Sequence, residues 1–199
     1  FFIFRKRYSM NNTEIEQQIQ KRYDAIQALK EQINDLQNQR EPELVADYKF
    51  VARTGESVSL LELFGDKDEL IVIHNMGKSC SHCSLWADGF MGYTQHIEQR
   101  CAFVLVCPDA PEVHRAFAES RGWNFKSCSS AGNTFTKDMG FAEEKDGKIY
   151  NMPGFSVFKK EDGNIFRTAK DQFGPGDFYM PLWHFFDVLP NGVNGFQPK

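Results

Sequence analysis

One stretch limits the possible folds more than any other: Leu70-Ile71-Val72-Ile73-His74-Asn75-Met76-Gly77-Lys78-Ser79-Cys80-Ser81-His82-Cys83-Ser84-Leu85-Trp86. It opens on an apolar, β-branched run, the pattern of a buried strand. A polar loop follows, then two cysteines in a CxxC spacing. Trp86, Phe90, Tyr93 and Ile97 recur at helical intervals and mark one face of a helix through Arg100. The pair therefore sits where a strand runs into the first turn of a helix. Free backbone N–H groups and the positive end of the helix dipole converge there, and both favour a thiolate over a thiol.

The rest of the chain is consistent with a globular protein built around that junction. Its 199 residues suffice for one domain with an added element. Nineteen phenylalanines call for an aromatic core or interface. A net charge of −4 with no basic block argues against nucleic acid as a partner. No apolar run reaches the roughly 20 residues that would span a bilayer, so no membrane partner is expected. Phe1-Phe2-Ile3-Phe4 ahead of Arg5-Lys6-Arg7 has its charges on the wrong side for a signal peptide. Met10 looks like the natural start, and residues 1–12 read as a disordered or non-native leader. An odd count of five cysteines and no export signal point to a reducing cytoplasm.

Thr13 with Glu16 reads as a capping box opening a helix over residues 13–40. Ile19, Ile26 and Ile33 form an a-type row, and Ile15, Arg22, Leu29 and Leu36 a d-type row that Arg22 interrupts. Such a seam suits a two-stranded coiled coil of roughly 40 Å, or a helix lying on its own domain. Pro42 ends the helix, and a domain over 41–199 follows. Tyr48 to Ala52 reads as a strand, Leu60 to Phe64 as a helical turn, and Ala102 to Val106 as a buried strand. Asp109 with Glu112 is a second capping box, on a helix closed by Gly122. Asn124 to Cys128 reads as a short strand and Thr134 to Met139 as a short helix. Phe155 to Lys159 and Ile165 to Thr168 flank the turn Glu161-Asp162-Gly163-Asn164, a hairpin that a final helix over Pro181 to Val188 is expected to cover. Parallel first and antiparallel last predicts a mixed α/β sheet.

Within the pair, Cys80 stands first, at the helix N-terminus, and reads as the attacking thiolate. Cys83, inside the first turn, is placed to resolve a mixed disulfide. His82 and Lys78 add positive charge beside Cys80. Half of a zinc site is the competing reading, but Cys101, Cys107 and Cys128 supply no second close pair, so neither metal nor cofactor is expected. Met152-Pro153-Gly154 precedes an apolar strand, and locally Pro153 reads as an ordinary trans proline. Cys107 should emerge at the same sheet edge as Cys80, as a third redox thiol or a half-buried bystander. His74 and Trp86 read as core residues, and Asp88 as a solvated helix position or an orienter of a proton-transfer group.

Cys80-Ser81-His82-Cys83, the strand before it and Met152-Pro153-Gly154 together resemble the thioredoxin-like superfamily. The histidine before the second cysteine is similar to disulfide isomerase and DsbA-like variants. More closely, the chain from about Tyr48 to Leu189 resembles a bacterial thioredoxin-like family of unknown function, domain-of-unknown-function family 899. The resemblance rests on Cys80-Ser-His-Cys-Ser-Leu-Trp-Ala-Asp88, Gly122-Trp123-Asn124-Phe125, Ser129-Ser130 and Pro153-Gly154-Phe155-Ser156-Val157-Phe158, with the long N-terminal helix beside them. It implies a thioredoxin-like mixed sheet flanked by helices, and a cis Pro153 lying against the cysteine pair. The layout is similar to peroxiredoxins, yet Gly77 stands three residues before Cys80 and no Pro-x-x-x-Thr-x-x-Cys precedes it. The segment Thr168 to Gly176 also lacks the Tyr- and Arg-containing stretch that the resemblance leads one to expect.

These readings converge on a thiol–disulfide oxidoreductase. Cys80 attacks, Cys83 resolves, His82 tunes the thiolate and Pro153 shapes the docking surface for protein or small-molecule thiols and disulfides. A thiol peroxidase using Cys80, or a non-catalytic dimeric binding module, are the alternatives. The helical seam and the aromatic cluster Phe178, Tyr179, Trp183, Phe185 and Phe186 lead to an expected homodimer.

Overall fold

The computed structural model describes residues 10–199; of the expected leader, residues 1–9 lie outside the described residues. The chain divides after Arg40 into two compact units. The first holds α1 (Asn12–Asn38), which opens two residues earlier than the capping box expected at Thr13 and Glu16. Asn11 Oδ1 accepts the Glu14 N–H and the Glu14 carboxylate accepts the Asn11 N–H, each at 3.0 Å. Asparagine is at least as good an N-cap as threonine, and Glu14 stands at the N3 position that completes the box. No residue of α1 is buried, and Ile15, Ile19, Ile26, Leu29, Ile33 and Leu36 are between 38% and 65% exposed.

The second unit runs β1 (Glu43–Val45), β2 (Lys49–Ala52), β3 (Ser57–Ser59), α2 (Leu60–Leu63), β4 (Glu69–His74), α3 (Ser81–Phe90) and α4 (Thr94–Arg100). It continues with β5 (Ala102–Cys107), α5 (Pro111–Arg121), β6 (Ser127–Ser129), α6 (Phe135–Asp138), β7 (Ala142–Lys145) and β8 (Lys148–Asn151). Last come β9 (Gly154–Glu161), β10 (Asn164–Gln172) and α7 (Pro181–Asp187). Eight strands form one sheet in the order β1-β10-β9-β4-β5-β6-β2-β3. β4, β5 and β6 are parallel, while β9 runs antiparallel to β4 and β10 antiparallel to β9, the mixed sheet that the sequence predicts.

Alternation along β4 and β5 sends side chains to two cores. Leu70, Val72, Val104 and Val106 join Phe50, Phe135 and Phe158 on one face. Ile73, Phe103 and Leu105 join Trp86, Phe90 and Trp183 on the other, under α3 and α7. α7 packs on α3 through Trp183, 6.2 Å from the Trp86 ring, in the same cluster as Phe155 of β9. The helix expected to run unbroken through Arg100 is two helices, interrupted at Met91-Gly92-Tyr93. Glycine is a poor helix former, and the break lets Tyr93 meet Phe90 edge to face at 5.8 Å.

Two further expectations are corrected. The capping box at Asp109 and Glu112 does not form: Ala110 is the N-cap and Pro111 opens α5 with its preset φ. The Asp109 carboxylate is taken instead by the Lys78 N–H at 2.7 Å. The β7–β8 hairpin, turned by Asp146 (φ 53°) and Gly147 (φ 70°), has no counterpart in the sequence reading.

Candidate active site

β4 ends at His74, and the next residues set the shape of the site. The buried Asn75 side chain accepts the Gly77 N–H at 2.7 Å and donates to the Cys83 carbonyl at 3.3 Å. Gly77 has φ 96°, and a Cβ there would lie 2.5 Å from Asp109 Oδ1. Only glycine fits that turn. Lys78, exposed, then ties the loop to Asp109 through its backbone. Asn75, Gly77 and Asp109 thus hold the loop that delivers Cys80. The Asn-x-Gly spacing carried the turn signal, whereas nothing local announced Asp109 as its anchor.

Cys80 is the N-cap of α3. Its Sγ accepts the Cys83 N–H at 3.2 Å, the bond a serine or aspartate would take at that position. Cys80 is half-buried and Cys83 is 4% exposed, and both are free thiols. The Cys83 thiol, donating to the Cys80 sulfur, lowers the Cys80 pKa most; burial opposes it, and the Cys83 N–H and the His82 charge reinforce it. The outcome is about 6, from an ordinary value of 9.0. Cys83 moves the other way, held protonated by its bond to Cys80 and by burial. One sulfur is poised as a nucleophile and the other keeps its proton, a division of roles set by position within a single helical turn.

His82 stacks on Trp183 at 6.1 Å and lies 6.4 Å from Trp86, so α7 supplies one wall of the site. A cavity of about 70 Å³ beside the pair is lined by His82, Cys83, Trp86, Pro153 and Phe173. Pro153 therefore lines the same cavity as Cys83, but the cis peptide implied by the resemblance is absent: every peptide bond among the described residues is trans. Trans is the lower-energy form of an X–Pro bond. The flanking Met152 N–H to Phe141 carbonyl and Phe173 N–H to Pro153 carbonyl bonds, at 2.8 and 3.0 Å, seat the residues around it. Next to it, Gly154 is required because a Cβ would meet the Asp171 carbonyl oxygen at 2.3 Å.

Three other sequence readings resolve plainly. Trp86 is core, and its Nε1–H donates to Asp177 at 3.0 Å. Asp88 is a part-buried position with a structural role: it pairs with Arg121 and accepts the Trp123 Nε1–H at 2.8 Å, fastening α3 to α5. Cys107 is fully buried, its Sγ 3.1 Å from His114 Nδ1. Among the described residues no cluster of three His, Cys, Asp or Glu forms a metal-binding group.

A sequence profile described as a bacterial protein of unknown function, DUF899, matches residues 9–197. The chain belongs to that family. No curated protein matches its sequence. Among solved structures it is similar to peroxidoxin BcpB of Mycobacterium tuberculosis, at 19% identity and a TM-score of 0.55 over 64% of this chain and 84% of that one. Reduced Prx3 of Vibrio vulnificus, solved with hydrogen peroxide, aligns at 15% identity and a TM-score of 0.54 over 70% and 90%. PrxQ of Xylella fastidiosa aligns at 13% and 0.53 over 65% and 86%. At such identities the likeness shows the fold: this DUF899 protein has a thioredoxin-like, peroxiredoxin-like sheet with a long N-terminal helix added. No helix among its described residues is long and apolar enough to cross a membrane.

Proposed function

We propose that this DUF899 protein is a thiol–disulfide oxidoreductase acting through Cys80 and Cys83. The Cys83 N–H bonded to Cys80 Sγ at the head of α3 carries the reading, because it stabilises a thiolate where a substrate sulfur can approach. The Cys80 thiolate attacks one sulfur of a substrate disulfide, that S–S bond breaks, and the first thiolate leaves. Cys83 then releases its proton to the departing group and attacks the Cys80 sulfur, expelling the second thiolate. Two electrons pass from the cysteine pair to the substrate, and the second thiolate takes its proton from water, so the substrate leaves as two thiols. His82 contributes charge, and Pro153 shapes the wall against which the substrate docks.

Mixing the reduced protein with bis(2-hydroxyethyl) disulfide tests this reading. The wild type should form an intramolecular Cys80–Cys83 disulfide, and Cys83→Ser should stop at a stable mixed disulfide on Cys80. A mixed disulfide on any other cysteine would refute the assignment. Peroxide consumption by the same reduced sample addresses the peroxidatic alternative, which Gly77 in place of a threonine three residues before Cys80 disfavours.

A homodimer belongs to the same reading. Six apolar side chains of α1 stand exposed in a heptad seam, and burying each contributes roughly 1.5–3 kcal/mol. Because Arg22 interrupts the seam, the globular part of a second copy, rather than its α1, supplies the matching surface. Light scattering should give a dimer for the intact chain and a monomer for a version starting at Glu41. A monomeric intact chain at micromolar concentration would discard the dimer.

A further inference from the structure

A second, larger cavity lies next to the pocket that Cys83 lines. Ile73 and Phe173 line both. The second cavity holds about 360 Å³, within the size range of small-molecule sites. Its floor is the sheet face bearing Ile71, Ile73 and Phe103, and Phe90 and Ile97 form a wall on the side of α3 and α4. Ile71, Tyr93, Ile97 and Phe155 are only half-buried, so the cavity opens to solvent there.

The chemistry of this lining is one-sided. None of the side chains around it is charged. Tyr179 already donates its hydroxyl to Asp171 at 2.8 Å. β4, β5 and β9 are interior strands paired on both sides, so the floor has no free row of backbone N–H or C=O groups. A peptide segment laid here would leave its own amides without partners, whereas a hydrocarbon chain needs none. The remaining wall is a strap, residues 173–181, latched to α3 by Asp177. One Asp177 oxygen accepts Trp86 Nε1–H and Gly174 N–H at 3.0 and 2.9 Å, and the other accepts Tyr179 and Met180 N–H at 2.8 and 3.0 Å. Trp86 lies one helical turn after Cys83, so the latch fixes the apolar wall relative to the cysteine pair.

We infer that this cavity receives the apolar chain of a low-molecular-weight disulfide while Cys80 reacts with its sulfur. The inference rests on the oxidoreductase reading above and adds the substrate class: small dialkyl disulfides rather than charged or peptide ones. The exchange is the balanced one already given, with two alkylthiols as products.

The test compares rate constants for Cys80–Cys83 disulfide formation by dimethyl, dibutyl, dihexyl and bis(2-hydroxyethyl) disulfide, read by acid quench, alkylation and mass spectrometry. Rates should rise with chain length by up to roughly fourfold per buried methylene until the cavity is full. Ile97→Trp, which fills the cavity from α4, should collapse the dihexyl-to-dimethyl ratio toward one, while Ile97→Val should preserve it. Because the ratio is taken within each protein, a general change in reactivity cancels. Rates independent of chain length, a preference for the hydroxyethyl compound, or an unchanged ratio in folded Ile97→Trp would overturn the inference while leaving the oxidoreductase reading intact. Should that variant fail to fold, the wild-type series decides alone. If no disulfide of the series oxidises the pair, the oxidoreductase reading falls and the inference falls with it.

Discussion

Cys80 comes after β4 and Cys107 ends β5, its parallel neighbour, and each has a histidine close by, yet they are opposite in character. Cys80 caps a helix, is half-buried, and is drawn down to about 6 by the Cys83 thiol first and by the Cys83 N–H and His82 charge besides. Cys107 is 1% exposed, and burial pushes its thiol up to about 12. Its histidine is no help as a cation. His114 sits between the Cys107 thiol and the Ser127 hydroxyl, 2.9 Å away, and burial lowers its pKa to about 4. Both partners therefore stay neutral and the trio is a buried hydrogen-bond chain. A cysteine beside a histidine becomes reactive only where water and helix N–H groups support the charge.

The largest effect expected from this contrast is in alkylation. At pH 7 iodoacetamide should modify Cys80 at least on the order of 10²-fold faster than Cys107, from the difference in thiolate fraction offset by the weaker nucleophilicity of the low-pKa sulfur. Peptide mapping after timed quenches measures both sites in one sample. Comparable rates would erase the distinction.

Next in size is acid sensitivity, which belongs to the neutral buried histidines. His74 is stacked on Phe141 at 3.9 Å and bonded to Ser156 at 2.9 Å, and burial, with Arg167 nearby, lowers its pKa to about 3. The unfolded chain binds a proton near pH 6.5 that the folded chain refuses until about pH 3, so stability is full above pH 6.5 and declines as pH falls toward 3. The loss from His74 is on the order of a few kcal/mol. His74→Phe should flatten that slope in urea titrations run between pH 4 and pH 7, at the cost of an unpaired Ser156 hydroxyl at neutral pH. An unchanged slope would mean that other groups control acid unfolding.

The smallest effect sharpens the account of Cys80 itself. Cys83→Ala removes the thiol donor but keeps the backbone N–H, so the alkylation inflection of Cys80 should rise from about 6 by roughly one unit and stay below 9.0. A rise to 9.0 would assign the whole depression to the Cys83 side chain, and no rise would assign it to the helix end.

Local pattern carried most of the elements. The CxxC between an apolar strand and an amphipathic helix, Gly122 with φ 70° closing α5, and the Asp162-Gly163 turn between β9 and β10 were legible because each depends on neighbours within a few residues. Expectations failed where distant groups competed for the same atoms. Asp109 left its helix to hold the Gly77–Lys78 loop, and Asp88 went to Arg121 and Trp123.

By itself the sequence determined the mixed α/β sheet, the apolar heptad seam of α1 and the cysteine pair at a helix start. Hydrophobic period, turn chemistry and capping are short-range properties, and they add up to a fold class. Only the tertiary structure decided which cysteine is exposed, that Pro153 is trans yet shares a cavity with Cys83, and that an uncharged cavity walled by an Asp177-latched strap lies beside the site. Burial and cavities arise where segments far apart in the chain meet, and the packing there sets solvent access and proton affinity residue by residue.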